Sequence, residues 1–231
     1  MDFIPKLFIA IDHSEEKIAK ELIQKLPPKA CGIKVGKELF TACGPNIVDW
    51  INSKGFKVFL DLKYHDIPNT VEKACFAAAK MNISILNIHA LGGKEMMLSA
   101  REGIDKSKNK PYLIAVTILT SMDENDLKTI GIKSSINEQI KNLALLASQA
   151  ELDGIVCSAK DILNIKKLLP KDFLYVTPGI RLNNDQDQDQ KRVMTPSDAI
   201  RSGSSILVVG RPVTEAKNPE LTVNQIIKEI S

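Results

Sequence analysis

Two residues of opposite charge stand two apart in an otherwise apolar run, FKVFLDLK at 56–63. Side chains of a β-strand alternate faces, so Phe59, Asp61 and Lys63 share one face while Leu60 and Leu62 share the other. With the leucines against covering helices, the charges point inward, where either one alone is costly to bury. Unit charges about 4 Å apart attract by about 4 kcal/mol at an effective dielectric near 20, so pairing makes their burial tolerable. Lys34, in GIKVG at 32–36, and Asp66, three residues past Lys63, extend the set to two cations and two anions. Fixed charges in a dry pocket suit the stabilisation of charge that develops during a reaction. The same residues could instead form a salt-bridge ring that merely closes a fold. The HDIPNT that follows at 65–70 argues for more, because Pro68 sits where a helix begins and opens an N-terminus just past the charges.

A second group suits an anion. Gly210 lets backbone approach a phosphate, Arg211 beside it can add a bidentate contact, and Arg181 offers another cation. His65, Asp66 and His89 lack the spacing of a metal site, so no metal is expected. His13 reads as a surface residue.

The elements that must position these residues recur along the whole chain. Apolar, β-branched runs start at 7 (LFIAID), 32 (GIKVG), 56 (FKVFLDLK), 83 (ISILNIH), 112 (YLIAVTIL), 153 (DGIVCS), 173 (FLYVTPG) and 205 (SILVVG). Between them lie stretches with helical apolar spacing, such as Ile18, Leu22 and Ile23 before Pro27, or Leu143, Ala144, Leu146 and Ala147 before Asp153. Near-continuous apolar strands alternating with helices imply a parallel sheet covered on its outside. Eight such units in 231 residues predict a single-domain α/β fold spanning 1–231, a closed (β/α)8 TIM barrel, with an open doubly wound sheet as the alternative. Barrel chemistry sits at the C-terminal ends of the strands. Polar residues gather at those ends: Asp12, Lys34, Asp61 with Lys63, Asn87 with His89, Thr120 with Ser121 closing the fifth strand, Pro178 to Arg181, and Gly210 with Arg211. The NNDQDQDQ at 183–190 reads as a polar loop after the seventh strand.

Composition narrows the function further. Hydrophobic residues make up 44% and charged residues 26%, which supports a sizeable core and excludes wholesale disorder. A formal charge of +3, from 31 Lys plus Arg against 28 Asp plus Glu, is too weak and too evenly spread for a nucleic-acid binder, but leaves room for a small anionic ligand. No run reaches the ~18 apolar residues of a membrane span, and no signal peptide is legible. The four cysteines form no C-x-x-C pair and point to a reducing cytoplasm.

The stretch DLKYHDIPNTV at 61–71 resembles the signature of the orotidine 5'-phosphate decarboxylase family in its shorter, bacterial-type form. FIAID at 8, KVGKELF at 34, LTS at 119, PGIR at 178, DQKRVMTP at 189 and VVGRP at 208 follow in the family's order, so the resemblance spans essentially the whole chain. It implies a homodimeric barrel with shared active sites, turning orotidine 5'-phosphate into UMP and carbon dioxide in pyrimidine biosynthesis without metal or organic cofactor. By the same resemblance Lys63 is the proton donor, Asp61 and Lys34 hold it, and Asp66 enters the site from the other subunit. Asp12 and Lys34 fall to the ribose, Thr120 and Ser121 to the pyrimidine edge, and Arg181, Gln190, Gly210 and Arg211 to the phosphate. Ile67, Thr70 and Pro178 complete the substrate-binding set. Gln186 or Gln188 could replace Gln190 within the Asp-Gln repeat.

Sugar-phosphate decarboxylases and synthases of related architecture share the D-x-K-x-x-D core, so the nucleotide assignment rests on IPNT and LTS. A non-catalytic nucleotide-binding barrel is the further alternative, and the full Lys34, Asp61, Lys63 and Asp66 set argues against it.

Overall fold

In a computed structural model describing residues 4–182 and 194–231, eight parallel strands close into a barrel in chain order. They are β1 (Leu7–Ile11), β2 (Gly32–Gly36), β3 (Val58–Tyr64), β4 (Ile85–His89), β5 (Tyr112–Val116), β6 (Gly154–Val156), β7 (Leu174–Thr177) and β8 (Ile206–Val209). All eight coincide with the runs read from the sequence. The helices among the described residues are α1 (Glu16–Ile23), α2 (Lys37–Cys43), α3 (Asn46–Ser53), α4 (Pro68–Ala79), α5 (Gly93–Asp105), α6 (Glu124–Thr129), α7 (Ile136–Gln149), α8 (Ala159–Ile165), α9 (Pro196–Ser202), α10 (Arg211–Thr214) and α11 (Pro219–Glu229).

Strand alternation divides the core in two. Outward residues such as Leu7, Ile9, Ile33, Val35, Leu60 and Leu86 pack against the helices. Inward residues Phe8, Phe59, Ile85, Ile114, Val176 and Ile206 fill the barrel, with Phe8 and Phe59 edge-to-face at 6.1 Å. This apolar fill keeps water out from beneath the next inward positions, which are Lys34, Asp61 and Asn87. In the helices the buried stripe follows the 3.6-residue period with one correction. Ala19, Leu22 and Ile23 face the core of α1, while Ile18, expected there, is 41% exposed.

β3 departs from plain alternation near its end. Its pairing with β4 runs from Leu60–Leu86 to Tyr64–Ile88, four steps on one strand against two on the other. The surplus is an irregularity of the bulge kind, which re-aims side chains. Lys63 absorbs it with φ of 52°, a left-handed conformation that costs a non-glycine residue about 1–2 kcal/mol. The surplus is even, so parity survives: Asp61 and Lys63 still face inward, and Leu62 and Tyr64 still pack outside.

The chain then turns through 65–67 into α4. Ile67 is extended, as a residue before proline must be, and Pro68 occupies the first helical turn. The direction of α4 is set by α5, against which it packs more closely than any side chain allows. A β-carbon placed on Gly103 would lie 2.2 Å from the Glu72 carbonyl oxygen and 3.2 Å from its Cα. Gly103→Ala therefore pushes backbone against backbone and is expected to cost about 1–3 kcal/mol, visible in thermal unfolding as a loss of roughly 2–4 °C per kcal/mol. An unchanged Tm would show that α4 moves aside freely.

Candidate active site

The C-terminal ends of the strands enclose a cavity of about 290 Å³. A cavity of about 690 Å³ opens elsewhere among residues such as Ser84 and Tyr112 at strand N-termini. Size does not select the site, because the larger cavity lies at the N-terminal ends of the strands and barrel chemistry sits at their C-terminal ends. The smaller cavity holds the charged residues of the strand ends, Asp12, Lys34, Asp61, Lys63, Arg181 and Arg211.

On one wall Asp12, Lys34, Asp61 and Lys63 alternate in sign. Lys34 Nζ stands 3.3 Å from Asp12 Oδ1 and 3.2 Å from Asp61 Oδ2, and Lys63 Nζ is 2.5 Å from Asp61 Oδ1. Within one chain two cations and two anions are present, the second anion being Asp12, while Asp66, which the resemblance assigns to the other subunit's site, is not among them. Lys34 and Asp61 are only 7% and 8% exposed. Burial by itself favours the neutral acid, yet Lys34 and Lys63, with hydrogen bonds from Lys63 and Asn87, override it and hold the Asp61 carboxyl down to about 2. Burial likewise works against the Lys34 ammonium, and the Asp61 and Asp12 carboxylates push its pKa up in spite of that. At neutral pH both partners are therefore ionised.

Asn87 belongs to this wall and was assigned no role from sequence. It is wholly buried on β4, donates from Nδ2 to Asp61 Oδ1 at 2.6 Å and accepts the Lys63 backbone N–H at 2.8 Å. The available signal was an amide at an inward position of ILNIH. His89, two residues on, lies 5.5 Å from the His65 ring. Burial, followed by the positive neighbours His65, Lys37 and Lys63, lowers its pKa to about 4. It is neutral at physiological pH. The described residues hold no metal-binding cluster of His, Cys, Asp or Glu.

The cavity is also lined by Pro178, Arg181, Gly210, Arg211 and Thr120. The Arg181 N–H donates to the Met194 carbonyl at 3.0 Å, and the Met194 N–H donates to Gly179 O at 3.2 Å. These bonds tie together the chain flanking 183–193. Among the described residues a methyl on Gly210 would meet only Ala10 Cβ, at an ordinary 3.8 Å. Protein packing therefore does not demand glycine there.

Some expected residues lie elsewhere. The fifth strand ends at Val116, so Thr120 and Ser121 stand in the turn beyond it, and Ser121 is exposed and outside the cavity lining. Asp66, Ile67 and Thr70 also lie outside this chain's cavity and are exposed, Ile67 by 65%. The Asp66 carboxylate accepts only the Ile67 N–H, at 2.6 Å, among the described residues. Gln190, with Gln186 and Gln188, lies outside the described residues.

Fold and site together define a (β/α)8 barrel whose mouth gathers a buried acid–base network and two arginines around one cavity. Comparisons with known proteins narrow that class. The Orotidine 5'-phosphate decarboxylase / HUMPS family profile matches residues 5–226. A Saccharophagus degradans protein named orotidine 5'-phosphate decarboxylase is 51% identical over 227 residues, covering 98% of this chain and 95% of its own. A Legionella pneumophila (strain Lens) protein of the same name is 48% identical, covering 98% and 99%. Among solved structures, orotidine 5'-phosphate decarboxylase from Lactobacillus acidophilus superposes with a TM-score of 0.88 at 36% identity, covering 99% of this chain and 100% of that one. The chain belongs to the orotidine 5'-phosphate decarboxylase / HUMPS family.

The charge network needs bare space at Gly36, whose added β-carbon would lie 2.9 Å from both Asp12 Oδ1 and Lys34 Nζ. Both are ends of flexible side chains, so Gly36→Ala is expected to fold while displacing the network. Turnover should fall by at least about tenfold with little change in Tm, since small misplacements in a preorganised site are costly. Undiminished turnover would mean that Lys34 need not hold its observed position.

Proposed function

We propose that this chain decarboxylates orotidine 5'-phosphate to UMP and carbon dioxide for pyrimidine biosynthesis, as one catalytic domain spanning 1–231. The observation that carries the reading is Asp61 bracketed by Lys34 and Lys63 in a cavity also lined by Arg181 and Arg211.

Loss of the carboxylate leaves an electron pair at pyrimidine C6 that the ring cannot readily delocalise. The protein must supply the stabilisation, and preorganised charge is the means at hand. In the proposed step the C6–carboxylate bond breaks, its electron pair stays on C6 and carbon dioxide departs. The Lys63 ammonium stabilises that pair and gives its proton to C6, leaving a neutral amine that solvent reprotonates. Asp61 holds the ammonium without taking its proton, because a carboxyl titrating at about 2 is a poor base. This chemistry calls on no metal and no organic cofactor. Asp12 and Lys34 are assigned to the ribose and Thr120 to the base. Arg181, Gly210 and Arg211 are assigned to the phosphate, where arginine can bind bidentately. Pro178 shapes that end, and Gln190 and Ser121 remain with the phosphate and base by family resemblance.

Asp66, Ile67 and Thr70 support a homodimer with shared sites, since they face away from their own cavity at the start of α4. Asp66 then stands beside the substrate carboxylate of the partner's pocket. A cytoplasmic setting fits the four free cysteines. Burial also pushes the Cys31 and Cys75 thiols up to about 12, keeping them protonated. No helix among the described residues is long and apolar enough to cross a membrane. The partners of the reading are the nucleotide and a second copy, with no nucleic acid.

Chelator-treated protein is expected to consume orotidine 5'-phosphate, followed as loss of orotate absorbance. Lys63→Ala should still fold and bind UMP while turnover falls by orders of magnitude, because the contact it removes belongs to the transition state. Near-normal turnover by Lys63→Ala would remove the proton donor from the scheme.

The shared site has its own test. When Lys63→Ala and Asp66→Ala proteins exchange subunits at random, about half the dimers are mixed and each mixed dimer keeps one intact pocket, so about a quarter of pockets recover. If mass measurements confirm exchange while activity stays at the level of the separate variants, Asp66 acts within its own chain.

A further inference from the structure

We propose that Asn87 is a positioning residue for the proton transfer. One side-chain amide holds the backbone of Lys63 in its left-handed turn and also holds the carboxylate that grips the Lys63 ammonium. The inference rests on the reaction proposed above.

Asn87 has no exposed surface and sits in β4 between the buried side chains Leu86 and Ile88. A buried amide is costly unless both its ends are hydrogen-bonded. Here both bonds lead to one residue pair. Oδ1 accepts the Lys63 N–H at 2.8 Å, and Nδ2 donates to Asp61 Oδ1 at 2.6 Å. The amide orientation follows from its partners, since an N–H needs an acceptor and an ionised carboxylate can only accept. Asp61 Oδ1 is also the atom that receives Lys63 Nζ at 2.5 Å. The contact falls where the β3–β4 register breaks and Lys63 turns to φ 52°. Asn87 thus offers an acceptor to the N–H at the irregularity. It closes a ring that runs from the Lys63 backbone through the amide and Asp61 back to the Lys63 ammonium.

The role demands a donor and an acceptor in one short, planar group. Leucine keeps the shape of asparagine and offers neither. Aspartate can accept from the Lys63 N–H, but its second oxygen faces the Asp61 carboxylate and can donate only after taking a proton. The charged and titratable groups around that position are Asp61 and Lys63 on β3, Lys34 on β2, His89 on β4 and His65 beside it. All of them are present in the wild type, and the pH profile of Asn87→Leu, which adds no titratable group, measures what they contribute by themselves.

The test compares kcat for orotidine 5'-phosphate and Kd for UMP in wild type, Asn87→Leu and Asn87→Asp between about pH 8 and about pH 5.5, the range in which a raised carboxyl would titrate. Asn87→Leu is expected to lose about 100-fold in kcat, the scale of a small misplacement at a reacting group, with a much smaller change in UMP affinity. The Asn87→Asp ratio to wild type should be low at high pH and rise as the pH falls. The inference is overturned if folded Asn87→Leu keeps kcat within about threefold of wild type, or if its loss falls equally on UMP binding. A pH-independent Asn87→Asp ratio also overturns it, and that variant decides alone should Asn87→Leu not fold. Wild-type protein inactive on orotidine 5'-phosphate would instead overturn the proposed reaction.

Discussion

The Asp61 carboxylate, 8% exposed, accepts hydrogen bonds from the Lys63 ammonium and the Asn87 amide while the Lys34 ammonium stands 3.2 Å away. Each of these groups is affordable inside the barrel only because the others are there. Remove the carboxylate and Lys34 keeps only Asp12, whose side chain is 56% exposed and therefore screened by water. Remove one cation and the buried Asp61 carboxylate keeps only the other. Losing one member of a buried ion pair typically costs about 3–5 kcal/mol. The geometry of the upper barrel is constrained around this one group, and residues from four strand ends, Asp12, Lys34, Asp61 and Asn87, must arrive together to satisfy it.

That mutual dependence gives the site its rigidity. Phe8, Phe59, Ile85 and the other inward apolar residues fill the barrel beneath the network and keep water from competing with its bonds. Charges held this way need little reorganisation when a reaction changes the charge in front of them, and catalysis by fixed electrostatics depends on that property. The left-handed turn at Lys63 is a cost borne at the same place. Unusual backbone persists where its surroundings over-determine it, and here the Asn87 hydrogen bond and the Asp61 ion pair do so from two directions.

The other end of the site follows a different rule. Arg181 and Arg211 are only partly buried, and Gly210 leaves space that no described residue fills. Lys34 and Asp61 are buried and balance each other's charge, while the two arginines lining the same cavity stay within reach of solvent. Beyond both lies the exposed Asp66–Ile67–Thr70 segment, which this chain's cavity does not use.

Much of this was legible in the sequence because parallel strands and their side-chain alternation are local properties. Eight apolar runs, punctuated at their C-terminal ends by Asp12, Lys34, Asp61, Lys63, Arg181 and Arg211, suffice for a barrel and for the facing of its charges. The DLKYHDIPNTV stretch and its companion motifs suffice for the family. What the sequence did not contain was register. Whether β3 meets β4 with a surplus depends on hydrogen bonds between residues more than twenty positions apart, so the positive φ of Lys63 and the role of Asn87 emerged only once the strands were paired. For the same reason the Asp12 partner of Lys34 emerged only from the strand pairing. Three residues of separation put Asp66 near Lys63 along the chain, but the turn into α4 carries it outside the cavity, whereas the β1–β2 pairing brings Asp12 to Lys34 from twenty-two residues away.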